Sequence, residues 1–371
     1  MKLGRRHLLT GGTLAAAGIA MGSTPAHAAP GSSPREETRS LEELHQEALA
    51  EGGSLTVYAG GDTAQQQDGN KAAFEAAFPG VTATMVVDYS KFHDARIDQQ
   101  LATGTLVPDV AQLQTLQDFE RWKDEGVLLH YKPAGFSKVH KDFKDRHGAW
   151  TGIFVDAFST IYNADEVGSR PPTTAADLLD EQWQGRIVST YPNDDDAVLY
   201  LYKLIVDQYG WEWLAAFLEQ NVAWVRGTQE PADQVEAGAA VIALGTDGML
   251  TPAEGVKTRF VLPESDPFMA WAQRAAIFAD APHPAAAKLY LNWWLAKQTQ
   301  ADFYMWSVRT DVAPHEGYRP IWEYPNANLD GFAEFMDDRA AVERFRQQIT
   351  LYIGEVEGAP SPGWLGLHPG R

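Results

Sequence analysis

The sequence predicts an α/β protein built on two mainly parallel sheets, and three observations carry that expectation. Strands and helices alternate from about Leu41 onward, the alternation starts afresh near the middle of the chain, and 371 residues amount to two domains at roughly 150 residues each. Composition agrees: 44% hydrophobic residues and 12 Trp suffice for a large core and exclude a disordered or fibrous chain.

The folded body runs from about Leu41 to Glu357. It opens on LEELHQEALAEGG, where Leu41, Leu44, Ala48 and Leu49 recur at helical spacing and Gly52-Gly53 stop the helix. The strand SLTVYAG follows, then a helix from about Thr63 to Phe78 closed by Pro79-Gly80. The β-rich run VTATMVVDY, a helix near Phe92 to Ala102 and the strand DVAQL complete a β-α-β-α-β series. The middle repeats the theme: GIFVDAFSTIYN, the short helix in PTTAADLLDEQWQG, the strand GRIVSTYP and a helix from Asp194 to Tyr209. Strands at AWVRG, AAVIALGT and TRFVLP, with helices near Trp211 to Gln220 and Ala232 to Ala237, belong to the second sheet. The last hundred residues turn helical, through HPAAAKLYLNWWLAKQTQADFYMW and then Phe332 to Glu357. No internal sequence repeat relates the halves.

Residues 1–28 read as an export signal, of the twin-arginine type with a Sec signal as the plainer alternative: Arg5-Arg6 precede Leu8-Leu9, an apolar Gly/Ala-rich stretch extends to Met21, and Ala26-His27-Ala28 offers small residues for cleavage. Residues 29–40 read as a flexible leader and residues 358–371 as an irregular tail. No other apolar run approaches the roughly 20 residues of a membrane span. A secreted or periplasmic protein without stable membrane insertion is expected. The absence of Cys suits an oxidising compartment and excludes disulfides, thiolate nucleophiles and the lipid anchor that needs a Cys.

Thirty basic against fifty acidic side chains leave a formal charge of -20, which repels phosphate backbones and makes nucleic acid an unexpected partner. The sequence has no G-x-G-x-x-G, Walker loop, G-x-S-x-G or H-E-x-x-H, so the common marks of nucleotide, serine-hydrolase and zinc-protease chemistry are missing. No cofactor is called for. The ten scattered histidines read as surface or capping residues.

With this order laid out, the chain resembles the bacterial extracellular solute-binding proteins of ABC transporters, in the branch known for ferric iron and related small ligands. The resemblance runs from Ser54 to Glu357 through SLTVYAGGD, VPDVAQLQTLQDFERWKDEGVLLHY, GAWTGIFVDAFSTIYN, PTTAADLLDEQWQGRIV, EAGAAVIALG and APHPAAAKLYLNWWLAKQTQ. It implies a type II periplasmic-binding-protein fold: two α/β lobes joined by two crossing strands, with ligand held in the interlobe cleft and closure about a hinge. Lobe 1 is expected at 41–155 and 266–310, lobe 2 at 156–265 and 311–357. The implied partners are a small-molecule ligand and a permease, with the binding protein itself a monomer.

In open α/β sheets, ligands sit beyond the carboxyl ends of strands, near helix N-termini. Four loops qualify. The first holds Gly60, Gly61 and Asp62, where the glycines let backbone approach a ligand and Asp62 or Thr63 caps the next helix as the plainer role. The second holds Gln114 and Thr115. The third is Tyr191-Pro192-Asn193-Asp194-Asp195-Asp196; one carboxylate caps the helix there while the others face solvent, or Asp194 and Asp195 enter the cleft as acceptors with Tyr191 and Asn193. The fourth holds Thr246 and Asp247. Iron-binding members place adjacent tyrosines at this loop, some offer a His at the first, and this chain has Thr246-Asp247 and Asp62 instead. Ferric iron through a tyrosine pair is therefore not expected, although a carboxylate site from Asp62, Asp247 and one of Asp194 to Asp196 stays open.

Tyr58, Tyr89, Trp150, Phe154, Tyr191 and Trp271 lie near strand ends or crossings where they could stack on ligand, Trp150 and Tyr191 foremost. The expected function is capture of a small neutral or cationic polar solute. An enzyme using Asp62, Asp247 or the three aspartates as acid and base, and a ligand sensor read by another protein, remain as alternatives.

Overall fold

The computed structural model describes residues 34–358; the export signal, the first part of the leader and the tail beyond Gly358 lie outside them. The first half runs α1 (Leu41–Glu51), β1 (Ser54–Gly60), α2 (Asp68–Ala77), β2 (Thr82–Asp88), α3 (Ser90–Thr103), β3 (Val110–Leu113) and α4 (Leu116–Asp124). Then come β4 (Thr151–Asn163), α5 (Ala164–Val167), β5 (Ile187–Thr190), α6 (Asp196–Tyr209), α7 (Trp211–Leu218), β6 (Ala223–Val225), α8 (Gln229–Ala237), β7 (Ile242–Thr246) and β8 (Thr258–Phe260). The chain ends with β9 (Met269–Ile277), α9 (Pro284–Trp294), α10 (Lys297–Asp302), α11 (Gly331–Asp337) and α12 (Arg339–Ile353).

Local chemistry explains the boundaries. Ser40 and Glu43 form a reciprocal capping box at the start of α1, each side chain accepting from the other's backbone N–H. Glu36 accepts from the backbone of Gly135 and Ser137, and Tyr131 donates to Glu37, so the stretch read as a flexible leader is fastened from Glu36 onward. The helix expected from Thr63 begins only at Asp68. No side chain caps its N-terminus, which falls at Gln67, and the Asp62 carboxylate is engaged elsewhere.

The strands run in the order β2-β1-β3-β9-β4-β7-β5-β6, with β8 also beside β4. Sequence alternation suggested two sheets; the structure joins them into one hydrogen-bonded path because β4 serves both. Its Thr151–Phe158 stretch pairs antiparallel with β9, and its Ser159–Asn163 stretch with β7 and β8. Thirteen residues at about 3.3 Å each give that strand the reach of two ordinary ones. Elsewhere β1 pairs parallel with β2 and β3, and β5 parallel with β6 and β7, the arrangement that helical crossovers impose.

Two large cores flank the shared strands. One gathers Leu55, Val57, Phe74, Tyr290, Trp294 and Trp306. The other gathers Trp183, Tyr202, Trp213, Phe217, Phe332 and Met336. Ile321, Tyr324 and Ala327 still belong to the first, so the chain returns to the second only with α11 and α12. A smaller cluster around Tyr58, Trp122 and Phe278 covers the other face of β1 and β3. His93 is fully buried there with its ring 4.7 Å from that of Tyr58, unlike the surface or capping place expected of the histidines. Burial pushes its pKa down to about 3, as expected where the charged imidazolium would be desolvated.

Candidate functional site

Where the two halves face each other, a cavity of about 520 Å³ opens over β4 and β9. Its floor follows from the two-residue period of a strand: Phe154, Asp156 and Phe158 of β4, with Trp271 and Gln273 of β9, line the cavity, while Val155 and Ala157 point into the first core. The walls come from the loops after β1, β3 and β7 and from the starts of α3, α6 and α8.

Of the residues singled out by sequence, Gly60, Gly61, Asp62, Gln114, Thr115, Asp194, Asp195 and Asp247 line this cavity, as do the aromatics Tyr89, Phe154 and Trp271. Trp150, Tyr191, Asn193 and Thr246 do not. Trp150 donates its indole N–H to Glu120 and lies under the Arg274 guanidinium, 3.7 Å from ring centre. Tyr191 stacks on Trp224, and Asn193 donates to Thr350 and the Gly354 carbonyl at the end of α12. Thr246 is fully buried and donates to the Thr228 carbonyl at 2.6 Å. Tyr58 is core.

Asp62 does not cap the helix that follows it. It does cap a helix, but the helix is α8, across the cleft: one carboxylate oxygen accepts from Thr228 N (2.6 Å), Thr228 Oγ1 (2.9 Å) and Gln229 N (3.1 Å). Gly227 permits the approach. Its φ is +79°, and a Cβ there would stand 2.8 Å from the Asp62 Cβ. At Gly60 the space that could have brought backbone to a ligand is taken by Ser90, whose hydroxyl would lie 2.3 Å from an added Cβ and accepts from Gln114 N.

The three consecutive aspartates are each committed, and Asp194 and Asp196 are buried rather than facing solvent. Asp194 receives Arg226 through two nitrogens at 2.7 and 2.9 Å and Lys91 at 2.8 Å. Burial alone would raise its pKa; Arg226 and Lys91 outweigh that and hold it below the usual carboxylate range. Asp195 caps α6, accepting from Ala197 and Val198, and takes the Gln114 amide at 2.9 Å; burial nevertheless pushes it up to about 6. Asp196 pairs with Arg339 and Arg346. The bonds of Asp62, Lys91 and Gln114 thus tie the loops of the first half to those of the second.

Two residues absent from the sequence reading complete the site. Asp156 stands on the floor, and burial together with the nearby Asp247 raises its pKa well above the ordinary value. Burial likewise pushes Asp247 up to about 6, even though Tyr304 donates to it at 3.0 Å. Both cleft tyrosines, Tyr89 and Tyr304, have their ionisation pushed upward, chiefly by burial, which disfavours the phenolate that ferric iron prefers. Among the described residues no three His, Cys, Asp or Glu side chains come close enough to hold a metal ion, so Asp62, Asp247 and the three aspartates do not assemble the carboxylate site left open above.

Two outcomes follow from this geometry. Asp62→Ala removes three acceptor contacts at the α8 N-terminus and is expected to cost about 1 kcal/mol and to enlarge the radius of gyration in X-ray scattering as the halves part; an unchanged scattering curve contradicts the bridging role. A carboxyl group whose folded pKa is raised favours the fold fully below its unfolded pKa of about 4, and loses that advantage as pH rises through its folded value of about 6. Asp247→Asn is therefore expected to match the parent near pH 4 and to melt higher near pH 8, by about 1 kcal/mol after allowance for water in the cleft. Thermal melts at both pH values decide it, and a parent protein that gains on the variant with rising pH contradicts it.

The sequence of residues 108–306 matches the family model described as bacterial extracellular solute-binding protein. No curated protein matches the chain by sequence. Among solved structures, the fold is similar to that of a substrate-binding protein of an ABC transporter from Agrobacterium tumefaciens, with TM-score 0.67 and 16% identity over 83% of this chain and 97% of that one. It is similar to iron-bound HitA from Pseudomonas aeruginosa, with TM-score 0.60 and 18% identity over 80% and 99%. It is also similar to the periplasmic binding protein AfuA from Actinobacillus pleuropneumoniae with fructose-6-phosphate bound, with TM-score 0.61 and 16% identity over 82% and 100%. With that family match covering more than half its length and a two-lobed type II binding-protein fold around the cleft, the chain belongs to the bacterial extracellular solute-binding proteins.

Proposed function

We propose that the cleft captures a small polar solute, neutral or cationic, and presents it to the permease of an ABC importer. The observation that carries this reading is the charge of the cavity: Asp62, Asp156, Asp195 and Asp247 line it with no ion pair among the described residues, while Asp194 and Asp196 are paired with Lys91, Arg226, Arg339 and Arg346, and Lys91 is the one cation among the lining residues. Lys91 and the adjacent Arg226 both bind Asp194. An incoming phosphate ester or ferric citrate would meet carboxylates at close range in a medium of reduced dielectric, where like charges repel most strongly. The α8 N-terminus, the backbone feature best suited to an anion, carries the chain's own Asp62. A cavity of about 520 Å³ suits a ligand of metabolite size.

Binding without turnover fits the committed state of the acids better than catalysis does. Asp62 and Asp195 cap helices, and Asp194 and Asp196 pair with arginine. The same reading has the protein exported through its Arg5-Arg6 signal and working as a monomer outside the cytoplasmic membrane; among the described residues no helix is long and apolar enough to cross a membrane.

Calorimetric titration tests the charge argument. Phosphate, fructose-6-phosphate and ferric citrate are expected to give no binding tighter than about millimolar, while neutral or cationic solutes include a binder at micromolar affinity or better. Tight, saturable uptake of any of the three anions overturns the reading.

A further inference from the structure

We propose that the solute is held by an organic ammonium group seated between Asp156 and Asp247 over the aromatic floor of the cleft. This deepens the binding-protein reading and rests on it. Asp156 projects from the middle of β4 into the cavity, flanked on the same face by Phe154 and Phe158 and paired across the strands with Trp271. Its Oδ1 is shut off from solvent and has no hydrogen-bond partner among the described residues. A buried carboxylate oxygen left in that state costs free energy that a donor would recover. Asp247 reaches the same space from the loop after β7, with one oxygen held by the Tyr304 hydroxyl at 3.0 Å.

Asp247 raises the proton affinity of Asp156, and neither carboxylate forms an ion pair among the described residues. The basic groups nearby are Lys91 and Arg226, and both are bound to Asp194 on the opposite wall. Two half-buried acids lining one cavity without an ion-pair partner have two ways to settle: keep a proton, or take up a cation. Among the described residues no cation pairs with either acid, and no three His, Cys, Asp or Glu side chains come together to hold a metal ion. An ammonium group fits what remains. It donates up to three hydrogen bonds, enough for Asp156 Oδ1 and for Asp247, while attached carbon lies against Phe158 and Trp271, whose ring centroids are 4.9 Å apart in an edge-to-face pair. Phosphate and carboxylate ligands are refused by the same pair.

Thermal melts of the full protein with methylammonium chloride test this, against sodium chloride at equal ionic strength. Methylammonium is expected to raise the melting temperature by about two degrees at saturating concentration and to perturb the Trp271 indole signal in NMR. Asp156→Asn and Asp247→Asn keep the shape of each side chain, remove an uncompensated charge, and are expected to fold and to bind methylammonium at least tenfold more weakly. Equal stabilisation by sodium, or an unchanged affinity in both variants, overturns the proposal. A small-molecule extract of the producing cells, passed over a cation exchanger, separates this failure from that of the wider reading. Stabilising material retained by the exchanger and dependent on Asp156 supports the ammonium site. Stabilising material that flows through removes the ammonium and leaves a binding cleft, and an extract with no stabilising fraction removes both.

Discussion

Carboxylates withdrawn from water into a shared cleft impose the constraint from which the rest of this site follows. Each must find a donor, a cation or a proton, and the chain satisfies them differently according to where they stand. Asp195 is answered by the free N–H groups of its own helix, Asp194 by Arg226 and Lys91, Asp196 by Arg339 and Arg346. Asp62 is answered by a helix from the other half. Among the described residues Asp156, on the floor, and Asp247, in the loop after β7, find no cation, and of the two only Asp247 is met by a phenol. The three answered aspartates build the wall, the cross-cleft one draws the halves together, and the unanswered pair marks where something else belongs.

The shared strands make that arrangement mechanically possible. Because β4 pairs with β9 at one end and with β7 and β8 at the other, each half has its own core, and the floor between them is continuous backbone. Hinge motion would then leave the floor residues in place and move the walls, making and breaking the contacts of Asp62, Lys91 and Gln114. Small side-chain contacts of this type contribute a few kcal/mol together at most, so the balance between open and closed forms is one that a bound solute can shift.

Much of this was legible in the sequence, for reasons that also explain the gaps. The βα alternation, the strand ends and the loops after them follow from period and punctuation, and Gly60, Gly61, Asp62, Gln114, Thr115, Asp194, Asp195 and Asp247 line the cleft because strand carboxyl ends collect there. Which way a residue near a strand end turns is not written in its neighbours. Thr246 and Tyr191 look inward to Thr228 and Trp224, and Trp150 lies beneath Arg274. The partner of Asp62 lies 166 residues along the chain, beyond the range of any local capping rule. Asp156 did carry a signal: a lone acid in the apolar strand GIFVDAFSTIYN is out of place unless it faces a polar space. Tyr304 carried none, since its place over Asp247 depends on how the segment after α10 packs.

Native mass spectrometry of protein purified from its own host, with the bound species released and its elements determined, tests the central claim most directly. The account predicts one small organic molecule per chain, neutral or positively charged and free of phosphorus and iron. A stoichiometric iron or a phosphate ester in the cleft would contradict it.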